Sequence, residues 1–246
     1  MRIGVAGITG RLGRLCAEEV RARSLTLSGG TSRTENAAEN IFSEPGRLAA
    51  CSDVIIDVSH HALIPDHARD LIRHQCAWVI GTTGMDAAEE AVIADAAKHI
   101  PVLRAANFSP GLNLLLDIAR QLSAALPADD YDVDVTDIHH RQKIDAPSGT
   151  AKAVGAAIAS GRGVKLEDVA RYDPSGPRQT GQIGFAELRA GQIVGEHSVI
   201  FTSGDEQITI SHRAFDRRVF ARGAVNAALW LHNQSAGLFN MTDIYK

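Results

Sequence analysis

The 246-residue chain reads as an α/β protein, with an N-terminal Rossmann-type dinucleotide-binding domain and a second α+β domain containing a mixed sheet. Three observations predict this. An apolar strand, Arg2-Ile3-Gly4-Val5-Ala6, runs directly into Gly7-Ile8-Thr9-Gly10-Arg11-Leu12-Gly13 and then a helix. Strand-like and helix-like runs alternate from there to a helix over 112–125. Beyond it the rhythm stops, and three strand-like runs follow one another. Alternation builds a parallel sheet, whereas successive strands build a separate mixed or antiparallel one.

Composition bounds the rest. Hydrophobic residues at 45% and charged residues at 22% are ordinary for a globular protein. A net charge of −4, with no Lys/Arg run, argues against nucleic acid as a partner. Cys16, Cys51 and Cys76 are odd in number and far apart, so they read as free thiols in a reducing compartment. The chain goes from Met1-Arg2 straight into a strand, leaving no space for a signal peptide. It also lacks an apolar run near the roughly 20 residues that cross a bilayer. A cytoplasmic protein without membrane contact is expected.

The helix after the first glycine turn carries Leu12, Leu15, Cys16 and Val20 on one face. Its turn has the spacing G-x-x-G-x-x-G, which lets backbone approach a pyrophosphate on the helix N-terminus. Leu25 to Gly30 is the expected second strand. An NAD-preferring fold places an acidic residue at its end to hold the ribose 2′-OH. This chain has Thr31-Ser32-Arg33 there, and a guanidinium pairs with a 2′-phosphate, so NADPH is expected over a possible NADH.

Residues 34–52 read as a polar surface connection. Val54 to Val58 is an unbroken apolar run, as a buried parallel strand requires. It ends in Ser59-His60-His61, which lacks the further ligands a metal would need, so no metal is expected. A helix over 64–74 and a strand over 77–80 follow. The strand opens into Gly81-Thr82-Thr83-Gly84, at the carboxyl end where open α/β sheets bind ligands. Asp86 caps a helix to Lys98. A strand over 101–104 then leads to Ala105-Ala106-Asn107-Phe108, a third strand end that can cover a nicotinamide.

An alternating run, Tyr131 to Ile138, then reaches His139-His140-Arg141-Gln142-Lys143-Ile144-Asp145-Ala146-Pro147-Ser148-Gly149-Thr150. Ser148 is a plausible N-cap for a helix over 151–160, so the N–H groups of Gly149 and Thr150 point out of its N-terminus. An anion site beside imidazoles and an ammonium suits a small acid that is held and protonated there. A Gly/Pro-rich loop over 161–181, strands over 183–189, 193–202 and 207–213, and a packed helix over 219–232 complete the reading.

The chain resembles the dihydrodipicolinate reductase family. The match is carried by His139-His140-Arg141, Lys143 and Asp145 to Thr150, and extends to Gly7–Gly13, Gly81–Gly84, Ala105–Phe108, Gly191–His197 and Gly223-Ala224-Val225. Two features depart from it: the connection over 34–52 is short, and Ser32 stands where some members place an acidic residue. The resemblance implies NAD(P)H-dependent reduction of a cyclic unsaturated dicarboxylate, with hydride to C4 and a proton to C3. It implies His139 as proton donor, with Lys143 as a second donor or stabiliser. His140, Ser148, Gly149, Thr150 and Arg217 are implied to bind substrate. Gly7 to Leu12, Arg33, Gly81 to Thr83 and Ala105 to Phe108 are implied to bind cofactor. A homotetramer built through the second sheet is implied as well. The expected domains are 1–109 with 217–246 for the cofactor and 110–216 for substrate and self-association, with the active site in the cleft between them. A related amino- or oxo-acid dehydrogenase and a non-catalytic NADPH sensor are the rival readings. The His139-His140 pair with Ser148-Gly149-Thr150 disfavours the first, and the presence of both His139 and Lys143 disfavours the second.

Overall fold

In a computed structural model, which describes residues 1–245, the chain forms two compact units. One comprises Met1–Pro110 with the stretch from Arg217 onward; the other is Gly111–Asp216.

The first unit is built on a seven-stranded sheet. Its strands are β1 (Arg2–Ala6), β2 (Thr26–Thr31), β3 (Ile41–Phe42), β4 (Val54–Asp57), β5 (Ala77–Ile80), β6 (Pro101–Arg104) and, from the far end of the chain, a strand at Gly237–Phe239. The order is β3-β2-β1-β4-β5-β6 followed by that last strand, with every pairing parallel. The first six follow the dinucleotide-binding order. The chain moves outward from β1 to β3, then returns to the other side of β1 as β4, which creates a switch point between their carboxyl ends. β4 and β5 are buried at every residue because helices cover both faces. On one face α1 (Arg11–Ala22) contributes Cys16, Ala17 and Val20, against the small and apolar residues of the late helix at Arg218–Leu231. The other face is covered by α2 (Pro45–Cys51), α3 (Ile64–His74) and α4 (Ala87–Ala96), through Leu48, Ile64, Leu71 and Ile93. Asp86 and Glu89 close a capping box on α4, satisfying two of its N-terminal donors.

The second unit starts with the body of α5 (Pro110–Ala125). Its sheet comprises β7 (Asp132–His139), β8 (Ala170–Arg171), β9 (Ile183–Arg189), β10 (Gly195–Thr202) and β11 (Gln207–Ala214), in the order β11-β10-β7-β9-β8. β10 runs antiparallel to β7 and β11, while β7, β9 and β8 are parallel, so the sheet is mixed. Burial alternates along β7 and β10 with the period of a strand covered on one face. Val133, Val135, Val199 and Phe201 lie beneath α5 and α6 (Gly149–Gly161). The opposite face carries Asp134, Thr136, Ser198 and Ile200, all half-buried. The short α7 (Leu166–Val169) precedes β8, α8 is the Arg218–Leu231 helix, and β12 is the closing strand Gly237–Phe239.

The structure corrects the sequence reading in three places. Residues 34–52 are not a plain surface connection: they hold β3 and α2, whose Leu48 is fully buried. The loop expected over 161–181 contains α7 and β8, and β12 has no counterpart in the expected elements. Each missed piece spans seven residues or fewer, too short for a hydrophobic period to register.

Candidate active site

Within the first unit, the switch point carries the glycine turn. Gly7 sits at φ +77, and a Cβ there would lie 2.9 Å from the Val58 carbonyl oxygen. A Cβ on Gly13 would come within 2.1 Å of the Gly7 oxygen, so α1 can start this close to β1 only with glycine at both positions. Gly10 is the N-cap of α1 and has no side-chain cap, which leaves the helix N-terminus for an anion. Ile8 is buried, Arg11 is exposed, and Leu12 packs partly against the core. The Thr9 hydroxyl is 3.2 Å from that of Ser32, linking the first turn to the end of β2.

A cavity of about 450 Å³ opens beside this turn, with Gly7, Thr9, Gly10, Ser32, Arg33 and His60 in its wall. Arg33 is exposed there. The other two predicted turns follow β5 and β6. Thr82 is buried and Thr83 exposed; Ala105 is buried and Ala106 exposed. Asn107 accepts a hydrogen bond from the Ser109 backbone N–H, and the buried Phe108 ring lies against Gly81.

A buried carboxylate that the sequence reading did not single out holds these turns. Asp57, the last residue of β4, accepts from the backbone N–H and hydroxyl of Ser59 at 3.1 and 2.6 Å. Its other oxygen meets His67 Nδ1 at 2.5 Å and accepts from Trp78 Nε1 at 3.2 Å. The Thr82 hydroxyl approaches at 3.4 Å. Burial alone would raise the Asp57 carboxyl, but the His67 imidazole and the Ser59 donors hold it below the usual carboxylate range.

The second unit assembles its polar cluster through strand register. On β7, Val133, Val135, Asp137 and His139 share the covered face. Across the antiparallel pairing, Asp137 stands opposite His197 of β10; across the parallel one, His139 stands opposite Arg189 of β9. Asp137 is fully buried, and every donor around it converges on its two oxygens. Oδ2 accepts from the Ser148 backbone N–H at 2.8 Å and from Arg189 Nη2 at 2.9 Å. Oδ1 accepts from the Ser148 hydroxyl at 2.8 Å and lies 3.2 Å from His197 Nε2 and 2.9 Å from His139 Nδ1. This last approach is close but not a hydrogen bond, since the ring nitrogen of His139 is not aligned on the oxygen. Burial works to raise the Asp137 carboxyl; the adjacent His139 and His197 imidazoles and the Ser148 donors outweigh it and hold the group far below the ordinary range. Gly195 lets His139 pack close, because a Cβ there would lie 3.0 Å from its Nε2.

The turn from β7 to α6 is braced from the same point. The Arg189 guanidinium reaches on to the Asp145 carbonyl at 2.7 Å, and the Ser148 hydroxyl caps α6 by accepting from the Ala151 N–H. Lys143 Nζ pairs with Asp145 Oδ1 at 2.8 Å, and this ammonium, then the backbone N–H of Asp145 itself and last that of Gly149, hold the Asp145 carboxyl down. Gly149 is exposed and open around its Cα, Thr150 and His140 are half-buried, and His139 is buried. His139, Lys143, Ser148 and Gly149 are thus brought to one end of β7. Arg217 is an exposed residue of the first unit, just before α8.

Sequence reasoning gave no role to Asp137, Arg189 or His197. Their signal is a polar side chain in the buried phase of an otherwise apolar alternation, visible at Asp137 after Val133 and Val135 and at His197 before Val199 and Phe201.

A glycine turn at the switch point of a parallel sheet is the framework of a dinucleotide-binding fold, and the chain is an NAD(P)H-dependent oxidoreductase. Residues 1–108 match the family model of the dihydrodipicolinate reductase N-terminus, and residues 111–245 that of its C-terminus. The chain belongs to the dihydrodipicolinate reductase family. It is 58% identical over 245 residues to the 4-hydroxy-tetrahydrodipicolinate reductase of Gluconobacter oxydans, covering 100% of this chain and 97% of the relative. Identity to the enzyme of the same name from Acidiphilium cryptum is 53% over 247 residues, covering 99% and 97%. A dipicolinate-bound dihydrodipicolinate reductase from Paenisporosarcina sp. TG-14 shares the fold with a TM-score of 0.80, at 21% identity over 98% of this chain and 97% of that one. The C. glutamicum DAP dehydrogenase shares it more distantly, with a TM-score of 0.58 at 16% identity over 98% and 92%.

The Asp137 carboxylate makes a pH-dependent contribution to stability. Its folded pKa is depressed, so its contribution is complete above the unfolded value of about 3.9 and is lost as pH falls below it. Asp137→Asn leaves the Arg189 charge unpaired and is expected to cost about 3–5 kcal/mol at neutral pH. Urea unfolding of both proteins should show that gap narrowing as pH falls below about 4. A gap constant from neutral pH to acid would mean that the ionised carboxylate is not what stabilises the cluster.

Proposed function

We propose that this chain reduces the cyclic dicarboxylate derived from 4-hydroxy-tetrahydrodipicolinate to tetrahydrodipicolinate, with NADPH as the preferred donor. The observation that carries the reading is His139, held against the buried Asp137 carboxylate at the end of β7 beside Lys143 and the N-terminus of α6. Hydride from the nicotinamide adds at C4 of the unsaturated ring. The electron pair shifts onto C3 as an enamine, and a proton from His139 completes the reduced ring. The Lys143 ammonium stabilises the developing negative charge or serves as a second donor. The N–H groups of Gly149 and Thr150, with His140, receive a substrate carboxylate; Ser148, expected among them, is buried with both donors on Asp137 and supports them as the N-cap, and Arg217 adds a further anion contact. In the structure Asp145 holds both Lys143 and the Gly149 N–H, so an incoming carboxylate takes over donors that already bind an anion of the same kind.

Gly7–Leu12 would hold the pyrophosphate of the dinucleotide at the switch point, and Gly81–Thr83 with Ala105–Phe108 would line its nicotinamide end. Arg33 and Ser32, in the wall of the cavity beside that turn, support the 2′-phosphate and hence NADPH. None of the helices among the described residues is long and apolar enough to cross a membrane, which fits a biosynthetic enzyme of the cytoplasm. The second unit forms a homotetramer through the open face of its sheet, where half-buried Ile138 and Ile200 stand among Thr136 and Ser198.

Loss of NADPH absorbance, then of NADH, with enzymatically generated substrate tests the reaction. Oxidation that depends on that substrate is the expected result; none from folded protein would remove the proposal. His139→Gln should lower turnover by roughly 10²–10⁴-fold, the usual worth of a general acid, and unchanged turnover would take His139 out of the mechanism. Arg33→Ala removes a charge-assisted contact worth about 1.5–3 kcal/mol. It should raise KM for NADPH by about 10-fold or more and leave KM for NADH nearly unchanged; equal changes for both would assign the preference elsewhere. Light scattering should report four chains per particle, and a monomer mass would end the tetramer proposal.

A further inference from the structure

The geometry points to a transition-metal site at Asp137, His139 and His197, one that takes Zn²⁺ and, by doing so, withdraws the proton donor from the reaction. Each of the three residues offers one ligand atom, and these atoms lie within 4.8 Å of one another. Two imidazoles and a carboxylate, with a fourth position left for water or a hydroxyl, form a donor set that zinc takes in proteins. Bonds of about 2.0–2.1 Å at the tetrahedral angle place neighbouring donors about 3.3–3.4 Å apart. Here Asp137 Oδ1 is 2.9 Å from His139 Nδ1 and 3.2 Å from His197 Nε2. The Ser148 hydroxyl stands 3.3 Å from His197 Nε2 and 2.8 Å from Asp137 Oδ1, at the place of a fourth donor. The two carboxylate–imidazole separations are within a few tenths of an ångström of that spacing, and the two imidazole nitrogens, within 4.8 Å of each other, close on the ion by side-chain adjustment.

Two further observations bear on the site. The buried Nδ1 of His139 makes no aligned hydrogen bond, so the atom that would ligate the ion gives up none in doing so. The carboxylate is also divided in its duties. Oδ2 carries the Arg189 guanidinium and the Ser148 N–H, which fix its orientation, and Oδ1 alone faces both rings. Arg189 thus stands as the outer partner that orients a ligating carboxylate. Its charge opposes cation binding, and the buried Asp137 charge offsets it, while burial holds the nearby His212 toward its neutral form. Zinc on these donors holds His139 through its Nδ1 and fixes the ring as a ligand, so the same imidazole cannot serve as proton donor. The inhibition rests on the proposed role of His139; the binding does not.

Chelator-treated full-length protein, titrated with ZnCl₂ in a calorimeter, tests the site. Wild type should take up zinc at this site with one ion per chain. His197→Gln and His139→Gln should each weaken that uptake by more than the roughly 10–100-fold that loss of a supporting residue costs. His61→Gln, at the stacked His60–His61 pair that also meets Glu89, should leave it unchanged. Co²⁺ in place of Zn²⁺ should give the intense visible band of a four-coordinate ion in wild type and in neither of the first two variants. No uptake by wild type, equal uptake by His197→Gln and His139→Gln, or a six-coordinate cobalt spectrum would overturn the site. Reductase activity read alongside separates the two claims. Zinc that binds and inhibits, with reversal by EDTA, supports both. Zinc that binds without inhibiting leaves the site standing and removes His139 as donor.

Discussion

A single buried carboxylate organises the second unit. Asp137 lies in the covered face of β7, where water cannot solvate it, and its charge persists because three hydrogen bonds from Ser148 and Arg189 and two imidazole contacts converge on its two oxygens. Those donors come from β7, β9, β10 and the turn before α6, so one charge fixes four segments of chain relative to one another. The turn that carries His140, Lys143 and Asp145 has almost no apolar content of its own, and Ile144 within it is 98% exposed. Its shape is imposed from Asp137, through Ser148 at one end and Arg189 at the Asp145 carbonyl. Precision in an exposed loop is thus borrowed from a buried ion pair.

The first unit solves a similar problem with similar means. Asp57 ends an apolar strand and ties Ser59 and Thr82, from two successive strand-end turns, to His67 of α3. Turns that approach a ligand through backbone cannot be held by packing alone, because bulky side chains would fill the space the ligand needs. A carboxylate beneath them supplies rigidity from below. Both units therefore place an Asp–His contact at the carboxyl end of a strand, though only the second presents its imidazoles as part of a larger group.

Much of this was legible in the sequence. The parallel strands β4 and β5 announce themselves as apolar runs, broken in β4 only by its final Asp57, and the glycine spacing after β1 marks the turn into α1. Ser148 was readable as an N-cap because a hydroxyl three residues before the first buried helical position is a local signal. The rest was hidden for specific reasons. β3 and β12 have two and three residues, so no period could declare them. Arg189 and His197 reach Asp137 only through strand pairing, a relation between residues 52 and 60 positions apart that depends on register and not on any local pattern. Asp57 was visible as a charge within an apolar run, but its partner His67 lies one helix away.

The strand β12 has a consequence for how the chain is made. It pairs with β6 at the edge of the first unit's sheet, and α8 fills one face of that unit's core. A ribosome therefore releases the first 110 residues well before their own sheet and core can be completed. The second unit is contiguous and holds its core within Gly111–Asp216, so it can finish folding while its elder neighbour still waits. The residues of the second unit's core are thus all synthesised before those of the first are complete, and the apolar faces that α8 covers stay open on the nascent chain until its last part emerges, a state prone to aggregation.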